Sequence, residues 1–384
     1  MDFDIVIIGG GLVGASLADA LKHSGLRLAL VEGQPLPSLD SEWDSRIYAF
    51  TPGNVDFLKQ CGAWQRLDNS RVQQVEEMRV FGDAGSRLNF SAYEMGAPEL
   101  AFIMESRLLQ HALWQGLLEQ DNLTLLHPAQ CAELSVLEDA AWLKLKDGRE
   151  IRARLIVGAD GRDSWVRQQT NMPEVPTPYH QHGVVANFNI GKAHRGIAYQ
   201  WFSPDGILAL LPLPGKRISI VWSVSPEQSA ELLALTHGEF SARVAEASNH
   251  TLGELQVITP PASFALRVLN LAHLARPRLA LIGDAAHNVH PLSGQGVNLG
   301  LRDVRKLAQV LQQRGELDCG DLQLLRRYEK ARQSDIMSMQ LTTDTLKHLF
   351  INNNPLLSTL RNLGLTATNK IVPLKKMLVR HALN

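Results

Sequence analysis

Residues Phe3 to Ile8 read F-D-I-V-I-I, a β-branched apolar run with the length of a buried parallel strand. The run passes directly into G-G-G-L-V-G, which holds Gly9-x-Gly11-x-x-Gly14. An apolar helical pattern follows from Leu12 to Leu21, and a second strand, Leu26 to Val31, ends at Glu32. Each part has a physical task at a dinucleotide. Gly9 permits the tight turn, Gly11 lets the backbone approach a pyrophosphate, and Gly14 lets the helix pack close to the strand. The helix start turns free N–H groups and a positive dipole end toward phosphate. Glu32 stands where a carboxylate accepts hydrogen bonds from ribose hydroxyls. A plain Gly-rich turn would not carry this context, but the motif alone does not separate FAD from NAD.

A second stretch, Arg278 to Val304, reads R-L-A-L-I-G-D-A-A-H-N-V-H-P-L-S-G-Q-G-V-N-L-G-L-R-D-V. The strand Leu279–Ile282 runs into Gly283-Asp284, and a Gly-rich turn opens a helix near Gly294. A strand-end carboxylate at Asp284 suits a ribityl chain; a helix N-cap is the plainer reading. Gly294 and Gly296 allow close approach to a flat ring, and the helix aims its positive end at the negative charge of a reduced flavin. His287 and His290 suggest a metal, but no third ligand lies near them in sequence, so no metal is expected. A third stretch, Leu155 to Arg167, again takes an apolar strand into Asp160-Gly161, at the strand end where open α/β sheets place ligands.

With these three fingerprints in this order, the chain resembles the class A flavoprotein monooxygenases, the group typified by para-hydroxybenzoate hydroxylase. More narrowly it resembles the ubiquinone-biosynthesis hydroxylase family. The stretch GDAAHNVHPLSGQGVNLGLRDV carries that closer likeness. Ser45–Trp64, Met104–Trp114, Tyr199–Pro214 and Leu360–Leu365 add to it, and the resemblance covers nearly the whole chain. Asn288, Ser293 and Ser106 depart from the family's usual Thr, Ala and Asn, which leaves the exact member open.

The resemblance implies an α/β fold. It has a Rossmann-like FAD-binding domain of para-hydroxybenzoate hydroxylase type, an inserted, mostly antiparallel substrate sheet, and C-terminal helices. It implies that Gly9, Gly11, Gly14 and Glu32 hold the ADP half of FAD, with Arg46 and Arg107 near the ribose and phosphates. Asp160 and Gly161 would serve both FAD and NAD(P)H. Asp284 would hold the ribityl or pyrophosphate part. Pro291, Gly294, Gln295, Gly296, Val297 and Asn298 would line the isoalloxazine ring. The implied reaction is hydroxylation of a polyprenylphenol-type ring through a flavin C4a-hydroperoxide, with O₂ as co-substrate and NAD(P)H as reductant. No catalytic residue is singled out; His290 and Pro291 are candidates for shaping the flavin edge. Tyr199, Trp201 and Phe188 are candidates for the substrate face, although aromatic residues on strands are more often core.

The fingerprints are scattered, so the FAD-binding domain is expected to be discontinuous, over 1–74, 100–172 and 270–340. The substrate domain would take 75–99 and 173–269, where strand-like stretches such as Gly183–Ile190, Ile207–Pro212 and Ile218–Val224 alternate with Pro and Gly turns. Val75–Ser91 is expected to add strands to it. A helical pattern runs from Leu322 to Phe350, and 341–384 forms a helical tail. Between Thr345 and Asn384 that tail has no Asp or Glu, while Lys347, Arg361, Lys370, Lys375, Lys376 and Arg380 are basic. Such a tail suits an anionic lipid surface, and equally a solvated helix on the domain.

A length of 384 residues suits roughly two domains of ~150–200 residues. A net charge of −1 offers no field for nucleic acid. Cys61, Cys131 and Cys319 are too far apart for a disulfide framework or zinc site. Without a basic start or cleavage site, the chain reads as cytoplasmic, with peripheral contact at the inner face of the membrane. The expected partners are a hydrophobic aromatic substrate, that membrane surface and other quinone-biosynthesis proteins. Two alternatives stand beside this reading. One is another flavoenzyme, such as a polyprenyl reductase or a halogenase, although the WxWxIP-type stretch of halogenases is absent. The other is a non-catalytic flavin-binding scaffold.

Overall fold

The computed structural model describes residues 1–35, 39, 42–82, 85–172, 177–203, 206–288 and 295–351, with 342–351 by backbone alone. Five strands form the parallel part of the first sheet: β1 (Asp2–Ile8), β2 (Leu28–Val31), β3 (Leu123–Leu126), β4 (Glu150–Gly158) and β5 (Leu279–Leu281). Their spatial order is 3-2-1-4-5, and every neighbouring pair among them is parallel. This is the doubly wound order, in which the chain reverses direction beside β1 and leaves a crevice at the carboxyl ends. Ile5, Val6, Ile7 and Ile8 are all buried because both faces of β1 are covered. Truncating a side chain such as Ile7 to Ala would cost about 2–5 kcal/mol.

Helices cover that sheet. α1 (Leu12–Ala20) follows the glycine turn, α2 (Pro52–Cys61) starts with Pro at N1 and stops at Gly62, and α3 (Ser106–Leu118) packs on α1. The short α4 (Trp165–Gln169) follows β4.

A second, nine-stranded sheet uses Glu77–Phe81, Arg87–Ser91, Thr177–Ile190, Ile197–Ser203, Gly206–Leu213, Arg217–Val224, Leu255–Val257, Ala262–Asn270 and His287–Asn288. All its pairings are antiparallel except that of Ile197–Ser203 with Glu77–Phe81. Val75 itself ends Gln73–Val75, which pairs with Ala101–Glu105 in a separate three-stranded sheet completed by Ile47–Phe50 on the far side of Ala101–Glu105.

α5 (Pro226–Ala234) and α6 (His237–Ala247) cover one face of the second sheet. Each begins with a capping box, Ser225 with Gln228 and Thr236 with Glu239. α7 (Gly296–Gln312) crosses α1, and α8 (Leu322–Ile351) packs along α7. The pattern read over Leu322–Phe350 thus forms one helix. Residues 352–384 of the expected basic tail lie outside the described residues. Among the described residues, no helix is long and apolar enough to cross a membrane.

Candidate flavin site

The glycines of the first turn have different neighbours. A Cβ at Gly9, whose φ is +106°, would stand 2.4 Å from the Ala159 carbonyl oxygen, and one at Gly14 would stand 1.9 Å from the Gly9 oxygen. Side chains there would break the contact between β1, α1 and the end of β4. A Cβ at Gly11 would meet nothing within 4 Å, so this glycine faces open space. Gly11 is also the N-cap of α1 and offers no side-chain cap, which leaves the first N–H groups of the helix for an anion. Gly10, the unassigned position of the motif, matters as much. Its N–H donates to Glu32 Oε2 at 2.6 Å, and its carbonyl accepts from Trp114 Nε1 at 2.9 Å and Gln110 Nε2 at 3.2 Å. A Cβ there would stand 2.5 Å from the Trp114 ring. Glu32 Oε1 accepts from the Gln34 N–H at 2.8 Å, so the carboxylate braces the turn from both sides.

Asp160 lies at the end of β4, next to Gly161 at φ +80°. Its carboxylate accepts from Ser164 Oγ at 2.6 Å and from the Val166 N–H at 2.9 Å. Burial raises this carboxyl above its ordinary value, against those two hydrogen bonds. The Asp160 carboxylate thus braces the start of α4. Arg167 of α4 donates to the Ala285 carbonyl at 2.8 Å and ties this turn to that of Asp284.

Asp284 is different. Its side chain is exposed, yet protein crowds it closely enough to raise its carboxyl, with His287 and Arg162 pulling the other way. A side chain can be both exposed and crowded only in a cleft. Behind it stands a buried network. His287 Nε2 lies 2.6 Å from Asp303 Oδ2, which also accepts from the Gly283 N–H at 2.8 Å, while Arg332 Nε donates to Asp303 Oδ1 at 2.7 Å. Burial pushes the Asp303 carboxyl up, but His287 and Arg332 outweigh it and hold it below its ordinary value. His287 is therefore committed to Asp303, which fixes the turn that carries Asp284.

At the start of α7, a Cβ at Gly296 would meet nothing within 4 Å. Gln295 Oε1 and Asn288 Oδ1 are enclosed acceptors without a hydrogen-bond partner among the described residues. Val297 is buried. Asn298 is buried and hydrogen-bonded within the protein. Its Nδ2 donates to the Ala49 carbonyl at 2.7 Å, and its Oδ1 accepts from the Thr51 N–H at 3.0 Å and Asn54 Nδ2 at 2.9 Å. It clamps α7 to the start of α2. His290, Pro291 and Gly294 lie outside the described residues.

Arg46 is exposed and makes no side-chain hydrogen bond among the described residues, whereas Arg107 donates to the Glu42 carbonyl at 2.8 Å. Phe188, Tyr199 and Trp201 share a core with Phe240 and Val244 of α6. Phe188 stacks near Phe240 with ring centroids 5.7 Å apart, and Tyr199 and Trp201 stack on each other at the same spacing. These three side chains therefore face the helical cover. Strand alternation turns Asn187, Ala198 and Leu211 the other way. Asn187 Nδ2 donates to the Asp44 carbonyl at 2.8 Å, and Ala198 and Leu211 pack with Ile47 and Ile103. Phe188, Tyr199 and Trp201, the candidates for the substrate face, thus pack into the core on the helical side of the second sheet. Burial pushes the thiols of Cys61, Cys131 and Cys319 up to about 12, which removes them as nucleophiles.

A turn open at Gly11, a carboxylate in a cleft and a helix start open at Gly296 with enclosed acceptors fit a dinucleotide that carries a flat ring. The model of one family, described as FAD binding domain, matches residues 2–341. The chain belongs to the FAD-binding domain family. FAD is accordingly its cofactor.

Within known members, it is 37% identical over 99% of its length, and 89% of the relative's, to the ubiquinone hydroxylase UbiL of Rhodospirillum rubrum. It is 35% identical to the 3-demethoxyubiquinol 3-hydroxylase of Escherichia coli, over 99% of this chain and 98% of that one. It is 33% identical to the human mitochondrial ubiquinone biosynthesis monooxygenase COQ6, over 99% and 92%. Its fold is shared with PqsL, a probable FAD-dependent monooxygenase from Pseudomonas aeruginosa, at a TM-score of 0.81 and 24% identity over 96% of this chain and all of that one.

Proposed function

We propose that this FAD enzyme hydroxylates the aromatic ring of a polyprenylphenol-type intermediate in ubiquinone biosynthesis, with O₂ as co-substrate and NAD(P)H as reductant. The observation that carries the reading is full-length similarity, at 33–37% identity, to three proteins named for ubiquinone hydroxylation, in a chain with the intact Asp284 cleft.

In this reading the FAD-binding part comprises 1–74, 100–172 and 270–340, and 75–99 with 173–269 form the substrate part. Gly9, Gly11 and Gly14 let the pyrophosphate approach the start of α1, and Glu32 shares its free lone pairs with the ribose. Arg46, on the exposed rim, meets the phosphates; Arg107 holds the Glu42 segment beside it. Asp284 accepts from the ribityl hydroxyls. The backbone from Gln295 to Val297 holds the ring edge, and the dipole of α7 stabilises negative charge there. Bound FAD supplies the oxygen-activating redox chemistry. The chain's own residues position, exclude water and neutralise charge.

The second sheet forms the other wall, where the Asn187 face, rather than the Trp201 face, meets the substrate. An isoprenoid substrate places the enzyme at a membrane surface, peripheral to its inner face, among other quinone-biosynthesis proteins. The test is to incubate the yellow protein with NADH or NADPH, O₂ and a short-chain prenylphenol. Reductant oxidation with a product heavier by one oxygen supports the reading. Flavin uptake without turnover of any such phenol, with a normal quinone profile after gene deletion, favours the scaffold alternative.

A further inference from the structure

Away from the Asp284 turn, residues of α1, α2, α7 and α8 and of the turn after α1 line an open cavity of about 680 Å³. That volume is in the range of small-molecule sites. Its wall carries five cationic side chains, Lys22, Arg302, Arg305, Lys306 and Arg332, against two carboxylates. Lys22 pairs with Asp19 at 3.4 Å, and Arg302 Nη1 with Asp335 Oδ1 at 3.2 Å, while Arg332 also pairs with Asp335. Arg305 makes no ion pair among the described residues, and Lys306 donates only to Gln309 Oε1. Arg302 is 5% exposed, and its Nε and Nη2 have no hydrogen-bond partner among the described residues. A buried guanidinium with two idle donors is rare, because such donors are expensive to leave unmade.

We propose that this cavity binds a phosphate-class anion. Cations from α1, α7 and α8 converge on it with more donors than one carboxylate could accept, whereas a phosphate or diphosphate offers several oxygens at once. Crowding by protein, followed by repulsion from Arg302 and Arg332, lowers the Arg305 guanidinium from its ordinary value; a bound anion would relieve that repulsion. The chain has no Asp or Glu after Asp344, so its basic end has no acidic side chain to fill the role. Arg305 lies nine residues along α7 from Gly296, about 14 Å by helical rise. An anion seated there lies well away from the helix start at Gly296. The anion is either a soluble phosphate compound or the headgroup of an anionic lipid.

The test uses the FAD-loaded protein. Sodium pyrophosphate should raise its melting temperature saturably, beyond sodium chloride at equal ionic strength. The Arg305→Ala/Lys306→Ala double variant changes two side chains that are not buried, and should bind pyrophosphate about tenfold more weakly. Phosphatidylglycerol vesicles that bind the wild type, release it to pyrophosphate and fail with the double variant identify a lipid headgroup. A pyrophosphate effect without such vesicle binding identifies a soluble ligand. A melting shift no larger than that of sodium chloride, or one that the double variant retains in full, overturns the site.

Discussion

Asp160 and Asp284 both follow parallel strands of the same sheet, and both adjoin a glycine. The first is drawn inward, with both oxygens accepting from Ser164 and Val166. The second is exposed in a cleft, and the bonds around it belong to its neighbours, Gly283 and His287, which hold Asp303. A strand-end Asp-Gly or Gly-Asp pair therefore has no fixed meaning. What decides is whether the next few residues supply donors. Ser164 and the Val166 N–H do so after Asp160, whose carboxylate braces the helix that follows.

The largest effect expected from this contrast comes from behind the cleft. Asp303→Asn removes one member of a buried charge network and should destabilise the protein by about 3–5 kcal/mol in urea or guanidinium unfolding. A loss below about 1 kcal/mol would mean that the turn of Asp284 is held by packing instead. Next, Asp284→Ala should weaken FAD binding about 10- to 100-fold in equilibrium titration, with little change in the melting temperature of the apoprotein. Smaller still, Asp160→Ala should cost about 1–2 kcal/mol of stability through the loss of the brace on α4, and leave FAD affinity within about threefold. If Asp160→Ala strips the flavin and Asp284→Ala only lowers stability, the contrast is reversed.

The smallest effect is on acid sensitivity. Asp303 titrates below its ordinary value in the folded state, so its contribution is present above the unfolded-state value and lost as pH falls through the lower, folded one. The wild type should therefore lose stability below about pH 4 more steeply than Asp303→Asn, as read from urea midpoints across pH.

The strand-turn-helix opening was legible because strand, glycines, helix and Glu32 are neighbours in sequence, and local sterics alone fix their roles. The long helix over Leu322–Phe350 was legible for the same reason, being written in local periodicity, whereas the Rossmann-like fold was implied by the resemblance that the three fingerprints carry. Gly10 was not, since its constraint comes from Trp114, over a hundred positions away. The pairing of Asp303 with Arg332 depends on how α8 lies against α7, which no local pattern encodes. The face taken by the aromatic side chains of the second sheet was not legible either. Composition shows that a strand carries bulky residues, but the side they take depends on register against Glu77–Phe81 and on the cover provided by α6.

Glu32 already grips the main chain on both sides through the Gly10 and Gln34 N–H groups. A carboxylate has about four lone-pair positions, so two are left over for an incoming sugar. The same side chain thus splints the phosphate loop before the nucleotide arrives and hands over spare capacity when it does. Loading then requires no reshaping of that loop, and an enzyme stripped of its flavin should be ready to be refilled.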